Sequence, residues 1–259
     1  MLYYSSLKKT VFIITITALL FSTISSAETA SPDCQIPVVT GANNWFPYSY
    51  IDDKNIQKGI GFDVVELIFA DLNIPIKYRF GLPWIRAMKE VNQGSIDVLV
   101  ANYWTEERAK KLVMSTEIAR ESLNVFTLKT KPFIFNKWDD LKKQRGAMPR
   151  GMALGEAFKK YSQNIDLIEV NTHQQIFKML NKERVDYVLL AQYSAQPNLL
   201  QKENENVVMQ STPVNYYSVH ISFSKNSSCL YLFDQFEQAL AERINDGSVA
   251  KIISTYVSS

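Results

Sequence analysis

The sequence of 259 residues carries 28 basic and 26 acidic side chains, which gives a formal net charge of +2. Because the charges are balanced and no Lys/Arg cluster occurs, the composition argues against a nucleic-acid or membrane-surface partner and favours a small ligand. The length suits one large domain or two smaller lobes, each with its own core.

Residues 1–27 have the pattern of a secretory signal peptide. Two lysines precede an apolar run over residues 11–24, and small residues follow it up to Ala27. The run is shorter than the roughly 20 apolar residues of a membrane span, and no comparable run follows it. We expect cleavage near Ala27 and secretion, with an uncleaved anchor as the alternative.

The chain has two cysteines, Cys34 and Cys229, near opposite ends of the secreted part. In an exported protein an even pair at this separation predicts one disulfide that ties the first strand to the C-terminal segment. Two buried free thiols are the alternative.

The segment after Cys34 predicts a βαβαβ order. Asp63 and Glu66 form a D-x-x-E pattern, which is typical of a helix N-cap, and the second helix has Pro83 in its first turn and Gly94 beyond its end. Predicted strands and helices alternate in this order: strand 36–41, helix 63–72, strand 74–80, helix 83–93 and strand 96–101. The last strand is an apolar run that leads directly into the stretch ANYWTEERAKK.

The middle of the chain repeats this plan. Strands are predicted at 146–151, 165–170 and 185–191, with helices at 152–162 and 172–181, the second of them capped by Thr172. The segments NQGSIDVLVA and NKERVDYVLLA both place an asparagine five residues before an aspartate and then run apolar to an alanine. The repetition indicates two similar lobes, with chance similarity between two helix-to-strand junctions as the alternative.

The C-terminal part predicts one long strand and two amphipathic helices. The strand covers 212–225, and the helices are separated at Asp246-Gly247. If the two cysteines are bonded, this part belongs to the first lobe, and the chain crosses between the lobes near 126–131 and again near 212–218. Two crossings make a two-strand hinge over a cleft, where small ligands usually bind.

Six segments in this order are similar to those of one protein family: WFPYSY, GIGFDVVELI, GSIDVLVANYWTEERAKK, RVDYVLLA, ISFSKNS and INDGSVAKIISTY. Through them the chain resembles the bacterial extracellular solute-binding proteins, family 3, of the polar amino acid uptake type with the type II periplasmic-binding fold. The resemblance implies an α/β protein with lobe 1 at 28–127 and 216–259 and lobe 2 at 128–215, each a βαβαβ-based sheet with flanking helices. It also implies a periplasmic monomer that binds a small molecule for an inner-membrane ABC permease or a sensor.

The resemblance places a ligand-gripping arginine at Arg108. In this family a T-x-x-R pattern opens a short helix at the cleft, and here Thr105 and Arg108 form that pattern. A guanidinium offers a planar pair of donors that matches the two oxygens of a carboxylate. The alternatives are an exposed arginine or one paired with Glu107.

Further side chains are expected around the same cleft. Trp45 lies where the family often has an aromatic that covers the ligand, and Tyr103 and Trp104 are expected on the opposite wall. Trp84 and Arg86 can reach the cleft from the start of a helix, and for each aromatic the alternative is a place in the core. Besides Arg108, the expected ligand-binding residues are Trp45, Tyr103, Trp104, Ala101, Arg150, Trp84 and Arg86.

Two departures from the family pattern affect the ligand. The aspartate that commonly receives an amino acid's α-amino group is replaced by Ala191, followed by Gln192. The second lobe's G-T pattern is replaced by RGMAL, where Arg150 can supply a second positive charge. These changes favour a ligand with an anionic group and without ordinary α-ammonium recognition, and an atypical amino acid is the second choice.

Two other functions stay open. Periplasmic cyclohexadienyl dehydratases resemble solute-binding proteins, and Glu156 is the second-lobe acid that such chemistry would use, unless it is an early-helix glutamate facing water. The other is a ligand-sensing component of a signalling system. We expect a non-catalytic protein without a cofactor, and no metal site, because His173 and His220 fall in different parts of the fold.

Overall fold

The computed structural model describes Cys34 and residues 36–257, so the predicted signal peptide at 1–27 lies outside the described residues. No helix within this described part is long and apolar enough to cross a bilayer. The strands are β1 (Val38–Thr40), β2 (Asn44–Trp45), β3 (Ser49–Ile51), β4 (Gln57–Lys58), β5 (Lys77–Tyr78), β6 (Val98–Tyr103), β7 (Leu112–Leu128), β8 (Arg145–Pro149), β9 (Asp166–Val170), β10 (Tyr187–Ala191), β11 (Val207–Met209) and β12 (Asn215–Ser224). The helices are α1 (Ile60–Asp71), α2 (Trp84–Gln93), α3 (Glu106–Lys111), α4 (Gly155–Ser162), α5 (His173–Asn181), α6 (Gln192–Leu199), α7 (Phe233–Asn245) and α8 (Ser248–Tyr256).

One sheet runs through both halves of the fold, in the strand order β5-β1-β6-β12-β7-β10-β8-β9, with β11 on β7. A first parallel group contains β5, β1 and β6, and a second parallel group contains β10, β8 and β9. Between them lie the long strands β7 and β12, which pair with each other in antiparallel fashion. The two parallel groups correspond in sequence to the two predicted lobes, and the lobe boundaries themselves stay a prediction.

Strand position within this sheet follows from the sequence pattern. The strands β6 and β10 are buried along their whole length. Their apolar side chains cover both faces, as is typical of the interior strands of parallel sheets. The carboxyl ends of these two strands lead directly into α3 and α6, so both groups deliver their following loops to the same region.

Helix α1 begins earlier than its D-x-x-E pattern indicates, so the N-cap prediction at Asp63 is wrong. The cap residue is Gly59, whose φ of 136° suits glycine. The first turn also approaches β6 closely, because a Cβ at Gly61 would lie 2.4 Å from the Val100 carbonyl oxygen. Asp63 instead accepts a hydrogen bond from Tyr256 Oη at 2.7 Å, which joins α1 to α8.

Other boundaries of helices and strands predicted from the sequence lie closer to those in the structure. Helix α2 lies between Pro83 and Gly94, which has the left-handed conformation at a φ of 79°. Thr172 caps α5 by accepting a backbone N–H of the first turn at 3.2 Å. The strand predicted at 74–80 shortens to Lys77–Tyr78, because only these residues pair with β1.

The C-terminal helices pack on α1 and are tied to the start of the described chain. As predicted, α7 and α8 are separated at Gly247. Arg243 of α7 forms an ion pair with Asp71 of α1, with 2.7 Å between Nε and Oδ2. Cys34 and Cys229 form the predicted disulfide, with their Cα atoms 5.1 Å apart. The C-terminal part therefore belongs with the first parallel group.

Candidate functional site

A cavity of about 560 Å³ lies where loops from both parallel groups meet, and its size is typical of small-ligand sites. One side is lined by loops and strand ends of the first group: Ala42, Asn43, Asn44, Trp45, Pro83, Trp84, Ile85, Tyr103 and Arg108. The other side is lined by loops and helix starts of the second group: residues 149–153, Asn171, Thr172, His173 and Ser194. Four of these, Trp45, Trp84, Tyr103 and Arg108, and Arg150 from the opposite side, are among the ligand-binding residues expected from the sequence.

Arg108 is a buried cation at this cavity. Thr105 caps α3 by accepting the backbone N–H of Arg108 at 3.2 Å, and Arg108 Nη1 donates to the Tyr103 carbonyl at 2.9 Å. The guanidinium lies 5.2 Å from the centroid of the Trp84 ring, and the residue is only 8% exposed. Burial lowers the pKa of Arg108 to about 10, so it is charged at neutral pH.

No carboxylate of the described chain forms an ion pair with Arg108. The alternative of a pair with Glu107 is therefore not realised in this structure. An unpaired buried charge is costly by several kcal/mol, unless a partner of opposite charge approaches it from the cavity.

The aromatic residues at the cavity form one connected wall. The rings of Trp45 and Tyr103 meet edge to face with 4.8 Å between centroids, and Tyr217 lies 5.1 Å behind Tyr103. Tyr103 is buried and Trp45 is half-buried. Tyr103 belongs to the hydrophobic core and Trp45 packs against it, and both residues also line the cavity, so their role as a wall for the ligand stays a prediction.

Two hydrogen bonds connect the two sides of the cavity. Trp84 Nε1 donates to the Gly151 carbonyl at 3.1 Å, and Ser194 Oγ donates to the Phe46 carbonyl at 3.0 Å. Gly151 has a φ of 76°, and a Cβ there would lie 2.6 Å from Ile85 Cδ1. This left-handed backbone conformation favours glycine, and the flexible end of the Ile85 side chain of α2 packs close to it.

The second side of the cavity adds polar groups and a further positive charge. Arg150 is exposed and lies 4.0 Å from Glu169, measured from Nε to Oε2. His173 is half-buried at the start of α5, and burial lowers its pKa to about 4, so the imidazole is neutral at pH 7. Among the described residues that line the cavity there is no aspartate or glutamate.

Three of the expected ligand-binding residues are not brought to the cavity. Because side chains alternate along a strand, Tyr103 faces the cavity while Trp104 is 51% exposed beyond the end of β6. Ala101 is buried inside β6. Arg86 lies on the exposed side of α2, where its Nε donates to Glu90 Oε1 at 2.8 Å.

Other candidates named from the sequence also lie elsewhere or have another role. Glu156 is exposed on α4, pairs with Lys159 at 3.4 Å and does not line the cavity. His220 is hydrogen-bonded to Ser115 and Ser218 within the central strands. Within the described part, no group of three or more His, Cys, Asp or Glu side chains could hold a metal ion.

Sequence reasoning missed Glu121, a carboxyl group directly behind the aromatic wall. It is 1% exposed on β7, accepts a hydrogen bond from Tyr103 Oη at 3.0 Å, and accepts the Tyr193 N–H at 3.2 Å. Burial raises its pKa to about 8, against the opposite effect of the hydrogen bonds from the Tyr103 hydroxyl and the Tyr193 amide. Its neighbours in sequence are polar and charged, which indicates a solvent face, so no local signal identifies it.

Comparison with known proteins identifies relatives over most of the chain. The profile of the bacterial extracellular solute-binding proteins, family 3, matches residues 38–259. A curated relative described as a putative sensor protein, from Shewanella frigidimarina (strain NCIMB 400), is 25% identical over 205 residues, or 79% of this chain. This chain spans 30% of the length of that relative.

Solved structures with similar folds come from binding proteins and from a sensor. A mutant of ArgBP from T. maritima superposes with a TM-score of 0.75 at 19% identity, over 87% of this chain and 96% of that one. A histidine kinase sensor domain with similarity to periplasmic binding proteins gives 0.75 at 19% identity, over 86% and 96%. An ancestral arginine-binding protein bound to glutamine gives 0.73 at 21% identity, over 87% and 99%. At these sequence identities the comparison shows a shared fold and nothing about the ligand.

Proposed function

Because the chain belongs to the bacterial extracellular solute-binding proteins of family 3, we propose that it binds a small carboxylate-bearing ligand in the Arg108 cavity without converting it. The family resemblance and the type II periplasmic-binding fold expected from the sequence are confirmed. Family membership also supports a periplasmic location, and residues 1–27, which carry the signal-peptide prediction, lie outside the described part.

The observation that carries the proposal is the unpaired charge of Arg108. The guanidinium is buried at the cavity, uses one nitrogen on a backbone carbonyl, and has no acid partner in the described chain. A ligand carboxylate would supply the missing negative charge and accept the free N–H groups, and such charge-assisted bonds are about twice as strong as neutral ones.

The rest of the cavity favours an organic acid with an apolar or planar body. The Trp45, Trp84 and Tyr103 rings offer flat apolar surface, while Arg150 adds a second positive charge that can receive a second anionic group. No lining carboxylate is available for an ammonium group, and Ala191 is a buried residue at the end of β10. We therefore place organic acids first and atypical amino acids second.

The dehydratase-like alternative has less support. A general acid must reach the reacting group of the substrate directly or through one water. Glu156 is exposed outside the cavity, and Glu121 lies behind Tyr103 and Trp45 rather than in the lining. A binding role explains the cavity without assigning a proton donor to it.

The second candidate function is sensing: the bound ligand would signal to a sensor system rather than be transported. The putative sensor protein from Shewanella frigidimarina and the histidine kinase sensor domain favour it. In the transport case we propose a monomer that delivers the ligand to an inner-membrane ABC permease. Crosslinking of ligand-loaded protein in host membranes separates the two, since recovery of permease subunits supports transport and recovery of a kinase supports sensing.

The experiment for the binding site compares two arginine variants. A thermal-shift screen of organic acids and amino acids should find acids that raise the melting temperature, because a ligand of the folded state stabilises it. Arg108→Met keeps an unbranched apolar side chain and removes the charge, so the Kd of such an acid should rise by about 100-fold. Arg86→Met is the matched control, with an expected change of less than about 2-fold, because Arg86 lies on the exposed side of α2, pairs with Glu90 and does not line the cavity. An unchanged Kd in Arg108→Met would refute the site.

A further inference from the structure

Glu121 is held by donors from two elements of the fold. It accepts hydrogen bonds from the Tyr103 hydroxyl of β6 at 3.0 Å and from the Tyr193 N–H of α6 at 3.2 Å. Trp45 packs edge to face against Tyr103 with 4.8 Å between the ring centroids, and Ser194 follows Tyr193 at the start of α6. A single carboxyl group on β7 thus joins β6 to the start of α6.

These donors and the residues beside them belong to opposite sides of the cavity. Trp45 and Tyr103 line the side of the first parallel group, and Ser194 lines the side of the second. Glu121 itself lies on β7, one of the two strands that connect the groups. A change in the hydrogen bonds of this carboxyl group therefore affects both sides of the cavity.

Glu121 faces tyrosines rather than cations. The ionisable groups around it are Tyr103 on β6, Tyr48 in the loop after β2 and Tyr193 on α6, and Tyr217 of β12 lies opposite it in register. Burial raises the pKa values of Tyr103, Tyr48 and Tyr217, so these hydroxyls stay protonated. Within the described residues no ion pair balances a charge on Glu121.

The ionised and the protonated forms of the Glu121 carboxyl group cannot accept the same set of hydrogen bonds. A carboxylate accepts all of them, whereas the protonated acid carries a hydrogen that must itself be donated. The Tyr193 amide is a donor only, but the Tyr103 hydroxyl can also accept. Protonation of Glu121 is therefore accommodated by reversal of the Tyr103 hydrogen bond.

We propose that Glu121 is a positioning residue for the ligand cavity, which holds Tyr103 and the start of α6 in one hydrogen-bonded cluster, with Trp45 packed on Tyr103, and makes ligand affinity depend on its protonation. The inference rests on the proposed function, because it takes the Arg108 cavity as the ligand site. Ionised Glu121 places a negative charge behind the wall that the ligand contacts. An anionic ligand then binds more weakly above the titration midpoint than below it.

The first test needs no ligand and uses the indole N–H signals of the four tryptophans in ¹H–¹⁵N spectra. The Trp45 signal, assigned with Trp45→Phe, should shift between pH 6 and 10 with a midpoint of about 8. The Trp84 indole, which donates to Gly151, is the internal control and should not follow this midpoint. In Glu121→Gln the Trp45 shift should disappear.

Tyr103→Phe is a second variant, which tests the role of Glu121 even if Glu121→Gln does not fold. The Tyr103 hydrogen bond lowers the pKa of Glu121, so its removal should move the Trp45 midpoint upward by about one pH unit. The positioning role is overturned if the Trp45 signal of the native protein does not titrate, or if it titrates equally in Glu121→Gln.

The second test uses benzoate as a probe, because it combines a carboxylate with one ring. Its Kd should be about 5-fold higher at pH 9 than at pH 6.5 in the native protein, and equal at the two pH values in Glu121→Gln. Equal values in the native protein would overturn the link to ligand affinity. Failure of benzoate and of every screened acid to bind would instead contradict the anion site, while the indole titration alone decides whether Glu121 organises the wall.

Discussion

Raising the pH from 5 to 9 should destabilise the folded protein through Glu121. Its pKa is about 8 in the folded protein and near the ordinary value of 4.5 when the chain is unfolded. Between these values the folded state binds more protons than the unfolded state, so the free energy of unfolding falls as the pH rises. The stability that Glu121 contributes is present below pH 4.5 and is lost as the pH passes 8.

The magnitude follows from the pKa difference. A separation of 3.5 pH units between 4.5 and about 8 corresponds to about 5 kcal/mol, at 1.36 kcal/mol per unit. No reduction for solvent screening applies, because Glu121 is 1% exposed. The carboxylates whose pKa values are lowered, such as Asp71 beside Arg243, act with the opposite sign but below pH 4. His173, whose pKa burial lowers from 6.5 to about 4, opposes the Glu121 effect up to pH 6.5, and above that pH neither group masks it.

The assay is urea denaturation at half-unit steps from pH 5 to 9, with the disulfide intact. The native protein should lose up to about 1.4 kcal/mol of unfolding free energy per pH unit from pH 6.5 to 7.5, above the range in which His173 opposes the loss. Glu121→Gln does not titrate, so its profile over this range should be flatter by that amount. Parallel profiles for the two proteins would refute the assignment of the raised pKa to Glu121.

Three further predictions concern the cavity closure, the disulfide and the first helix. Trp84→Phe keeps an aromatic ring but removes the indole N–H that bonds across the cavity, together with part of the ring surface. The ligand Kd measured by calorimetry should rise by about 5-fold or more, and no change would show that the indole does not favour binding. The Cys34→Ser/Cys229→Ser double variant should lose about 2–5 kcal/mol of unfolding free energy in urea, because the bridge spans 195 residues of sequence, and unchanged stability would contradict this. Gly61→Ala should cost about 1–3 kcal/mol in the same assay despite the better helix propensity of alanine, because its Cβ would meet the Val100 carbonyl oxygen at 2.4 Å, and a more stable variant would show that the helix moves freely.

Elements with a strong local pattern were predictable. The apolar runs that become β6 and β10, the cap at Thr172 and the break at Gly247 depend on a few neighbouring residues, and the structure realises each of them. The start of α1 was not predictable in this way. It depends on the contact of Gly61 with β6, which is distant in sequence, and this contact overrides the capping pattern at Asp63.

The residues of the candidate site also differ in whether a sequence motif identifies them or only contacts between distant parts of the chain do. Arg108 and Trp45 were reached through family motifs, and both line the cavity. Glu121 was not reached, because its burial results from α6 and the Trp45 loop closing over β7, while its local sequence resembles an exposed strand. Trp104 was expected at the cavity and does not reach it. It follows Tyr103 directly after the end of β6, where its side chain is exposed to solvent.

The continuity of the sheet through β7 and β12 has a mechanical consequence. These strands pair from Asn215–Leu123 to Ser224–Leu112, and the register shifts around His220 mark bulges in the pairing. A ribbon of two long hydrogen-bonded strands resists stretching and separation but yields readily to torsion, and bulges concentrate that torsion locally. We therefore expect rotation about this ribbon, rather than separation of β7 from β12, to widen or narrow the mouth of the cavity.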